Sequence, residues 1–308
     1  MKILVPGGAG YLGSVLVPML LEQRHSVNVL DNMLYEENSL ASSAGHKRFE
    51  FHRVDCRDIS AVRPHLKDAD VVIPLACLVG APLCNLNPID AELLNVKAHI
   101  ELFDLLSDDQ LVINPSTESV YGRQPGGIPL TEDSPVAPLV SYGLHKLATE
   151  NALAGRRNSI SFRMATLFGM SPRMRLDLLV NDFTWRALKD RALVVFEAHA
   201  MRTCLHVVDA ARAFVHCLDL QVGEHEIFNV GSITLSKMSL CEAIKKQVPG
   251  FFFTEAQYAT DPDARDYAVS DAKLRATGYR PTVTLEGGIA ELLKGYRMMD
   301  NNVYSNMP

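Results

Sequence analysis

ILVPGGAGYLG, residues 3–13, is a short apolar run that leads into a glycine-rich turn. The run predicts a buried strand, and the three- and four-residue spacing of apolar residues from Tyr11 to Gln23 predicts a helix. Gly7, Gly10 and Gly13 let the backbone approach a pyrophosphate, and the start of the helix offers it N–H groups and a partial positive charge. Because a glycine triplet also occurs in ordinary tight turns, its context decides the interpretation.

Two aspartates follow at the ends of the next two predicted strands. Asp31 lies about 20 residues beyond the glycines, where a carboxylate can accept hydrogen bonds from both hydroxyls of an adenosine ribose and would repel a 2′-phosphate. Residues 32–35, Asn-Met-Leu-Tyr, contain no arginine for such a phosphate, so the pattern favours NAD over NADP. The simpler alternatives are a turn residue for Asp31 and, for Asp55, a helix cap before Ile59 instead of a ligand of the adenine amino group.

Short β-branched runs alternate with longer helical patterns through the first half of the chain. Several runs, such as 71–73, are apolar throughout, which is typical of strands covered by helices on both faces. The alternation predicts an α/β fold with a Rossmann-type, doubly wound parallel sheet. The predicted strands are 3–5, 27–30, 49–54, 71–75, 111–114 and 160–164, and the predicted helices are 11–23, 88–106 and 141–153.

After residue 165 the pattern loosens, and we expect a smaller α/β lobe that binds the substrate. The predicted division is a Rossmann domain over residues 1–165 and a substrate lobe over residues 166–308, with some crossover of the chain between them. Helices are predicted at 176–189, 207–220, 239–247 and 285–296, and strands at 194–196 and 227–230. Proline and glycine mark loops at 123–127 and 169–172, both candidates for the wall of a cleft.

The composition disfavours several classes of protein. A net charge of −6 with scattered Lys and Arg gives no basic field for nucleic acid. The N-terminal apolar run is too short for a signal segment or a membrane span, so a cytoplasmic protein without a membrane partner is expected. The six cysteines form no C-x-x-C pair, which predicts reduced thiols and neither a disulfide framework nor a metal site.

Tyr142 and Lys146 stand one helical turn apart on the predicted helix 141–153, so their side chains share a face. The ammonium of Lys146, together with a positively charged nicotinamide, would lower the pKa of the phenol until it acts as a base near neutral pH. This pair is common by itself. Thr117, however, lies at the end of the preceding strand, where open α/β sheets place their sites, and can share the hydrogen bond of a substrate hydroxyl.

Together these pieces resemble the extended short-chain dehydrogenase/reductase family, in its nucleotide-sugar epimerase and dehydratase branch. The resemblance spans nearly the whole chain. It rests on Gly7-x-x-Gly10-x-x-Gly13, Asp31, Asp55, Leu75-Ala76, Asn95, Ser116-Thr117-Glu118-Ser119-Val120-Tyr121-Gly122, Tyr142-x-x-x-Lys146, Arg202 and Leu205-His206-Val207-x-Asp209. It implies NAD as the cofactor, a nucleotide-diphosphate sugar as the substrate, and a homodimer in which helices 88–106 and 141–153 pair with their copies.

The resemblance also implies roles for individual residues. Thr117, Tyr142 and Lys146 would be catalytic, with Tyr142 taking the proton of the C4 hydroxyl as hydride passes to NAD. The residues implied at the cofactor are Gly7, Gly10, Tyr11, Leu12, Asp31, Asn32, Asp55, Cys56, Leu75, Ala76, Asn95, Ser116, Tyr142 and Lys146. Those expected at the substrate are Glu118, Thr166, Arg175, Asn181, Arg202 and Arg265. For Arg202 and Arg265 the implied role is bidentate pairing with the diphosphate, and a surface ion pair is the alternative.

Three features depart from the family pattern. Pro6 replaces the usual threonine before the glycines. In 4,6-dehydratases the glutamate that removes the C5 proton stands two residues after the catalytic threonine, whereas here Glu118 follows Thr117 directly. Because successive side chains of a strand point to opposite faces, dehydration is disfavoured. Residues 78–84 and 171–183 resemble a subgroup that acts on unusual sugars and includes a GDP-heptose 4-oxidase.

Within the second of these segments, Arg173, Arg175 and Asn181 are candidates for the sugar-nucleotide pocket, or else solvated residues at the start of a helix. The sequence thus predicts an NAD-dependent nucleotide-sugar oxidoreductase that acts at C4 through a 4-keto sugar, as a 4-epimerase or a 4-oxidase. A 4,6-dehydratase or decarboxylase is the second alternative. A non-catalytic protein that senses NAD is the third, although it would have no use for the catalytic residues. The family resemblance suggests a role in the biosynthesis of surface polysaccharides or specialised sugars.

Overall fold

The computed structural model describes residues 1–124, 128–256, 266–299 and 306, and within them the strands form one large and two small sheets. The strands are β1 (Lys2–Pro6), β2 (Ser26–Asp31), β3 (Phe49–Arg53), β4 (Val71–Val72), β5 (Leu111–Thr117), β6 (Ser159–Met164), β7 (Thr166–Phe168), β8 (Ala192–Phe196), β9 (Met201–His206), β10 (Glu226–Val230), β11 (Ile233–Ser236) and β12 (Phe252–Ala256). Every strand predicted from the sequence is present, and β4 is shorter than predicted.

The large sheet is parallel and has the order β10-β6-β5-β4-β1-β2-β3. This confirms the predicted α/β fold of the Rossmann type. The order of the strands reverses between β1 and β4, which is where open α/β sheets bind their ligands. The sheet is interior, as the apolar runs predict: Ile3 and Val5 face one buried core, whereas Leu4 between them faces another.

Helices cover both faces of this sheet. They are α1 (Gly13–Glu22), α2 (Ile59–Leu66), α3 (Ala81–Leu86), α4 (Pro88–Glu92), α5 (Ala98–Asp104), α6 (Ser141–Leu153), α7 (Leu179–Lys189), α8 (Val207–Cys217), α9 (Lys237–Gln247), α10 (Ala272–Ala276) and α11 (Leu285–Tyr296). On one face α1 packs against α8, and on the other α5 packs against α2 and α6. No helix in the described part of the chain is long and apolar enough to cross a membrane.

The helix predicted over residues 88–106 is interrupted. A π-helical turn, Leu93–Lys97, separates α4 from α5 and carries the fully buried Asn95. Such turns are rare and are often found at functional sites. The periodicity of apolar residues cannot reveal one extra residue in a turn, so the sequence predicts a continuous helix here.

The second half of the chain contributes to the large sheet as well as to smaller ones. β10, from the second half of the chain, joins the large sheet beside β6. β9 pairs with β7 and β11 in a three-stranded sheet, and β8 pairs with β12 in a two-stranded one. The larger apolar core contains residues from both halves of the chain. The proposed boundary at residue 165 therefore stays a prediction.

A buried ion pair fixes α6 on the sheet. The guanidinium of Arg163 in β6 donates to the carboxylate of Glu150 in α6, with Nη2 2.8 Å from Oε2 and Nε 3.2 Å from both oxygens. The two side chains are only 5% and 2% exposed. The hydroxyl of Ser116, at the end of β5, donates to the same carboxylate. Glu150 thus joins α6 to two neighbouring strands.

We expect Glu150→Ala to destabilise the protein strongly, because it leaves the Arg163 charge buried without its partner. The free energy of unfolding should fall by about 3–5 kcal/mol. Glu226→Ala is the matched control: it removes an ion pair with Lys273 whose side chains are 43% and 41% exposed, and it should cost less than about 1 kcal/mol. Urea unfolding followed by circular dichroism measures the free energy of unfolding of both variants. Equal losses of stability would contradict the role assigned to the buried pair of Arg163 and Glu150.

Candidate active site

A cleft with a volume of about 290 Å³ opens at the carboxyl ends of the sheet strands, where the strand order reverses. Most of the residues predicted for the site line it, although they come from strands and loops far apart in the chain. These are Gly7, Gly10, Tyr11, Leu12, Asp31, Asn32, Asp55, Cys56, Leu75, Ala76, Ser116, Thr117, Tyr142, Lys146, Thr166 and Arg175. Their binding and catalytic roles stay predictions.

The glycine turn after β1 packs so closely that side chains cannot replace its hydrogens. A Cβ atom on Gly7, whose φ is +78°, would lie 2.3 Å from the backbone nitrogen of Ala76, and one on Gly13 would lie 2.4 Å from the carbonyl oxygen of Gly8. α1 begins here without an acidic residue in its first turn. The positive end of the helix dipole therefore faces the cleft unneutralised, as a pyrophosphate requires.

The ends of β2 and β3 supply the acidic wall of the cleft. Asp31 accepts hydrogen bonds from the backbone N–H groups of Ala9, at 3.0 Å, and Met33, at 2.8 Å. Burial raises the pKa of Asp31 above its usual range, and these two hydrogen bonds oppose that effect. Asp55 instead pairs with Arg57, whose hydrogen bonds lower the pKa of Asp55 to about 2.

The predicted catalytic residues lie at the β5 and α6 end of the same cleft. Lys146 is 2% exposed and Thr117 is 6% exposed, so both are shielded from bulk water. The Thr117 hydroxyl accepts a hydrogen bond from the N–H of Ser119 at 3.2 Å, which fixes its orientation. The charge of Lys146 also reaches His99: burial, followed by that charge, lowers the pKa of His99 to about 4, so the imidazole is neutral at neutral pH.

Two predicted site residues, Asn95 and Asn181, lie behind the cleft wall and do not line the cleft. Asn95 accepts from the N–H of Leu78 at 2.8 Å and donates to its carbonyl at 2.9 Å, which fixes a loop that lines the cleft. Asn181 accepts from the N–H of Gly169 at 3.0 Å and donates to the carbonyl of Arg175 at 2.9 Å. Both asparagines are fully buried, so the structure gives them positioning contacts to backbone.

The other predicted substrate residues lie outside this cleft or outside the described residues. Glu118 is buried, and its neighbour Ser119 lines the cleft in its place. Arg202 is buried in β9 and donates to the carbonyl of Met201 at 3.1 Å. Arg265 lies outside the described residues. No group of three or more His, Cys, Asp or Glu side chains within the described ranges is arranged to hold a metal ion.

The sequence motifs do not identify several other residues that line the cleft. Cys77 follows Ala76 in the loop after β4 and lies beside Lys146. Burial raises the pKa of the Cys77 thiol, and the ammonium opposes that rise. Tyr35 and Glu37 follow β2, and Arg173, which the sequence names as a candidate for the sugar-nucleotide pocket, reaches them from the loop after β7. For Cys77 and Tyr35, only their position in loops that follow β4 and β2 could have identified them.

A comparison with known proteins places the chain in a family. Residues 3–231 match the NAD dependent epimerase/dehydratase family. The chain belongs to that family. Membership confirms the predicted NAD-dependent enzyme and the resemblance to extended short-chain dehydrogenases/reductases. The finer resemblance to a GDP-heptose 4-oxidase stays a prediction.

Named relatives in the epimerase/dehydratase family align with nearly the whole chain. The low-salt glycan biosynthesis protein Agl12 of Haloferax volcanii is 29% identical over 96% of this chain and 98% of that protein. UDP-glucuronic acid decarboxylase 6 of Arabidopsis thaliana is 28% identical over 97% of this chain and 89% of that protein. The crystal structure of UDP-glucuronic acid 4-epimerase from Bacillus cereus, in complex with UDP-glucuronic acid and NAD, shares the fold, with a TM-score of 0.86 and 24% identity over 97% of this chain and 100% of that one.

We expect Asn95→Ala to loosen the cleft wall, because it leaves the buried N–H of Leu78 without a partner and leaves its carbonyl only the weak thiol donors of Cys77 and Cys84. The free energy of unfolding should fall by about 1–3 kcal/mol, and the affinity for NAD should fall with it. Asn87→Ala is the control, since the Asn87 side chain is exposed and makes one hydrogen bond to the described residues, at 3.3 Å to the carbonyl of Leu83. Thermal unfolding and calorimetric titration with NAD measure the two effects. An unchanged NAD affinity in Asn95→Ala would refute the positioning role.

Proposed function

We propose that this protein is an NAD-dependent nucleotide-sugar oxidoreductase that acts at C4 of the sugar, as a 4-epimerase or a 4-oxidase. The observation that carries the proposal is the arrangement of one cleft. Asp31 and the glycine turn line it at one end, and Thr117, Tyr142 and Lys146 line it at the other. A dinucleotide bound along this cleft would bring its reactive end to the three catalytic candidates.

The residues present fit the cofactor. The turn at Gly7 provides a backbone cradle that a Cβ atom would fill, and the N-terminus of α1 complements phosphate charge. Asp31 provides carboxylate oxygens for the adenosine ribose. At the other end, Lys146 is placed to hold the nicotinamide ribose, as the family resemblance implies. When bound, NAD accepts a hydride from C4 of the sugar and can return it.

The proton of the same C4 hydroxyl passes to Tyr142 in the proposed reaction. The Lys146 ammonium, one helical turn away, favours the phenolate form of Tyr142 and so makes it a competent base. Thr117 shares the hydrogen bond of the substrate hydroxyl and orients it towards Tyr142. Since Thr117 and Lys146 are nearly inaccessible to solvent, a bound sugar would exclude water from this proton transfer.

A nucleotide-diphosphate sugar is the proposed substrate class. The crystallised UDP-glucuronic acid 4-epimerase binds such a molecule, and the Arabidopsis relative is named for one. In this chain Thr166 and Arg175 line the cleft near its catalytic end and are candidates for sugar contacts. Arg202 and Arg265 stay proposed as ligands of the diphosphate.

The distribution of carboxylates favours oxidation and reduction at C4 over dehydration or decarboxylation. The acidic side chains among the described lining residues are Asp31, Glu36, Glu37 and Asp55, which follow β2 and β3 at the cofactor end. At the catalytic end Ser119 takes the position where a dehydratase needs a base, and Glu118 does not line the cleft. A protein that merely senses NAD would not need Thr117, Tyr142 and Lys146 together.

We also propose that the protein forms a homodimer through α3, α4, the π-helical turn and α6. Four large apolar side chains on these neighbouring elements are exposed: Leu86, Ile89, Leu93 and Leu144 are 59%, 74%, 37% and 55% accessible. Burying them against a second copy would remove this group of apolar side chains from water. The location agrees with the helix pairing that the family resemblance implies.

Tyr142→Phe should abolish the chemistry and leave the cofactor bound. We expect the rate of NADH formation with a nucleotide sugar to fall by about 10²–10⁴-fold, because no group remains to take the proton. Absorbance at 340 nm with UDP-, GDP-, CDP- and dTDP-sugars measures this rate. The product mass then distinguishes the reactions: unchanged for an epimerase, two hydrogens lighter for an oxidase, and one water lighter for a dehydratase.

Thr117 offers a matched pair for the same assay. Thr117→Ser keeps the hydroxyl and should retain most of the activity, whereas the isosteric Thr117→Val should lose it. The catalytic interpretation fails if Tyr142→Phe and Thr117→Val behave like the natural protein. Absence of bound NAD, with no sugar able to reduce added NAD, would favour a binding protein.

Leu144→Glu should convert the dimer into a monomer, because it places a charge at the centre of the proposed interface. Light scattering coupled to gel filtration measures the mass directly. Val194→Glu is the control, since Val194 is 52% exposed on β8, which does not belong to the proposed interface. A natural protein that elutes as a monomer would contradict the proposal.

A further inference from the structure

The loop after β7, residues 169–178, is anchored on the glycine turn. The buried Tyr11 hydroxyl donates to the carbonyl of Gly169 at 2.7 Å. In return, the hydroxyl of Ser171 donates to the carbonyl of Tyr11 at 2.7 Å and lies 2.8 Å from the hydroxyl of Ser14. These contacts join positions nearly 160 residues apart and hold the loop over the start of α1.

The segment after β2, residues 32–40, is anchored on the same turn from the other side. The buried hydroxyl of Ser39 donates to the carbonyl of Ala9 at 2.7 Å. Both segments contribute side chains to the wall of the cleft, among them Tyr35, Glu37 and Arg173. The glycine turn therefore lies between two fixed segments that reach towards each other at the cofactor end.

Arg173 bridges these two segments. Its guanidinium carbon lies 3.7 Å from the centre of the Tyr35 ring, and its Nε lies 3.5 Å from Glu37 Oε1. Stacking of this kind is favourable and is strengthened where water is excluded. The Arg173 side chain is only 3% exposed. The bridge thus lies inside the protein and is not a surface contact.

The guanidinium of Arg173 has donors left over. Nη1 donates to the carbonyl of Met174 at 2.9 Å. Nε and Nη2 are buried, and neither makes a hydrogen bond of good geometry within the described part of the chain, although Nε faces the Glu37 carboxylate. Buried donors without acceptors are costly and are rare in native structures. This cost falls at the end of the cleft that Asp31 and Arg173 both line, where the ring stack and the ion pair hold the guanidinium.

We propose that Arg173, stacked on Tyr35 and paired with Glu37, forms a bar across the adenosine end of the cleft that holds the dinucleotide and limits its release. The inference rests on the proposed binding of NAD. The aromatic ring of Tyr35 and the carboxylate of Glu37 keep the guanidinium in place across the end of the cleft. The cofactor cannot leave past this end unless the contacts of Arg173 with Tyr35 and Glu37 break.

This assignment changes the role expected for Arg173. The sequence places it among candidates for the sugar-nucleotide pocket, whereas the structure sets it against the segment that follows β2. A cofactor held by such a bar stays on the protein between two half-reactions. Retention suits a reaction in which the same bound cofactor takes up a hydride and gives it back, so the bar favours a 4-epimerase over an oxidase that exchanges its cofactor.

The test is the rate at which NADH leaves the full-length protein. Protein loaded with NADH is mixed with excess NAD, and the fluorescence of bound NADH is followed. We expect Arg173→Met and Tyr35→Leu to release NADH about tenfold faster or more, which corresponds to about 1.4 kcal/mol. Tyr35→Phe should stay near the natural rate because it keeps the ring. Arg186→Met is the matched control, since Arg186 is half exposed on α7 and pairs only with Asp182 in the described structure.

The outcomes separate this inference from the proposed function. If the natural protein binds no NADH, the proposed function fails and the bar fails with it. If it binds NADH and the folded Arg173→Met and Tyr35→Leu variants release it at the natural rate, only the bar is wrong. Circular dichroism shows whether each variant folds. If Arg173→Met does not fold, the release rate of the Tyr35→Leu variant decides whether the bar exists. Tighter binding of NADP than of NAD would overturn the bar, because Arg173 would then serve a 2′-phosphate.

Discussion

The buried ion pair between Arg163 and Glu150 is the interaction on which the active site most depends. Arg163 also donates to the hydroxyl of Tyr121 at 3.1 Å, and Tyr121 donates to Asn229 in β10 at 2.6 Å. Charged and polar contacts therefore join α6, the end of β5 and β10 beneath the cleft. Because a displaced α6 would leave a buried charge uncompensated, the helix is held firmly. The rigidity of the catalytic end thus comes from residues that do not themselves need to react.

The cleft changes its chemistry along its length, and the end with the glycine turn suits the adenosine and pyrophosphate of a dinucleotide. Carboxylates at the ends of β2 and β3 suit neutral ribose hydroxyls, and the N-terminus of α1 suits phosphate. At the other end lies the buried Lys146, one helical turn from Tyr142, the base of the proposed reaction. Each segment follows a strand end of the same sheet. The parallel topology, which brings those ends to one edge, is therefore what assembles the sequence motifs into a site.

The sequence predicts the elements well where one periodic pattern dominates, and less well where tertiary contacts decide. Residues 141–153 and 285–296 form helices with the predicted bounds. The π-helical turn is missed because apolar spacing does not record one inserted residue. Most predicted cofactor residues line the cleft because their motifs stand at strand ends. Asn95 and Asn181 instead hold backbone groups of loops. Arg173 contacts Tyr35 and Glu37, which lie more than 130 positions earlier in the chain, so no local pattern could reveal these contacts.

The segment after Thr117 differs from the extended strand on which the sequence argument relies. The alternation of side chains along a strand predicts that Glu118 cannot do the work of a glutamate at position 119, yet β5 ends at Thr117 and residues Glu118–Tyr121 form a tight helical turn. Thr117 caps that turn by accepting from the N–H of Ser119, and the carbonyl of Glu118 accepts from the hydroxyl of Tyr267 at 2.7 Å. The backbone is thereby fixed on both sides. Ser119, rather than a carboxylate, lines the cleft, and a serine hydroxyl without a partner base is too weakly basic to remove a C5 proton. The geometry of this one turn therefore favours chemistry confined to C4.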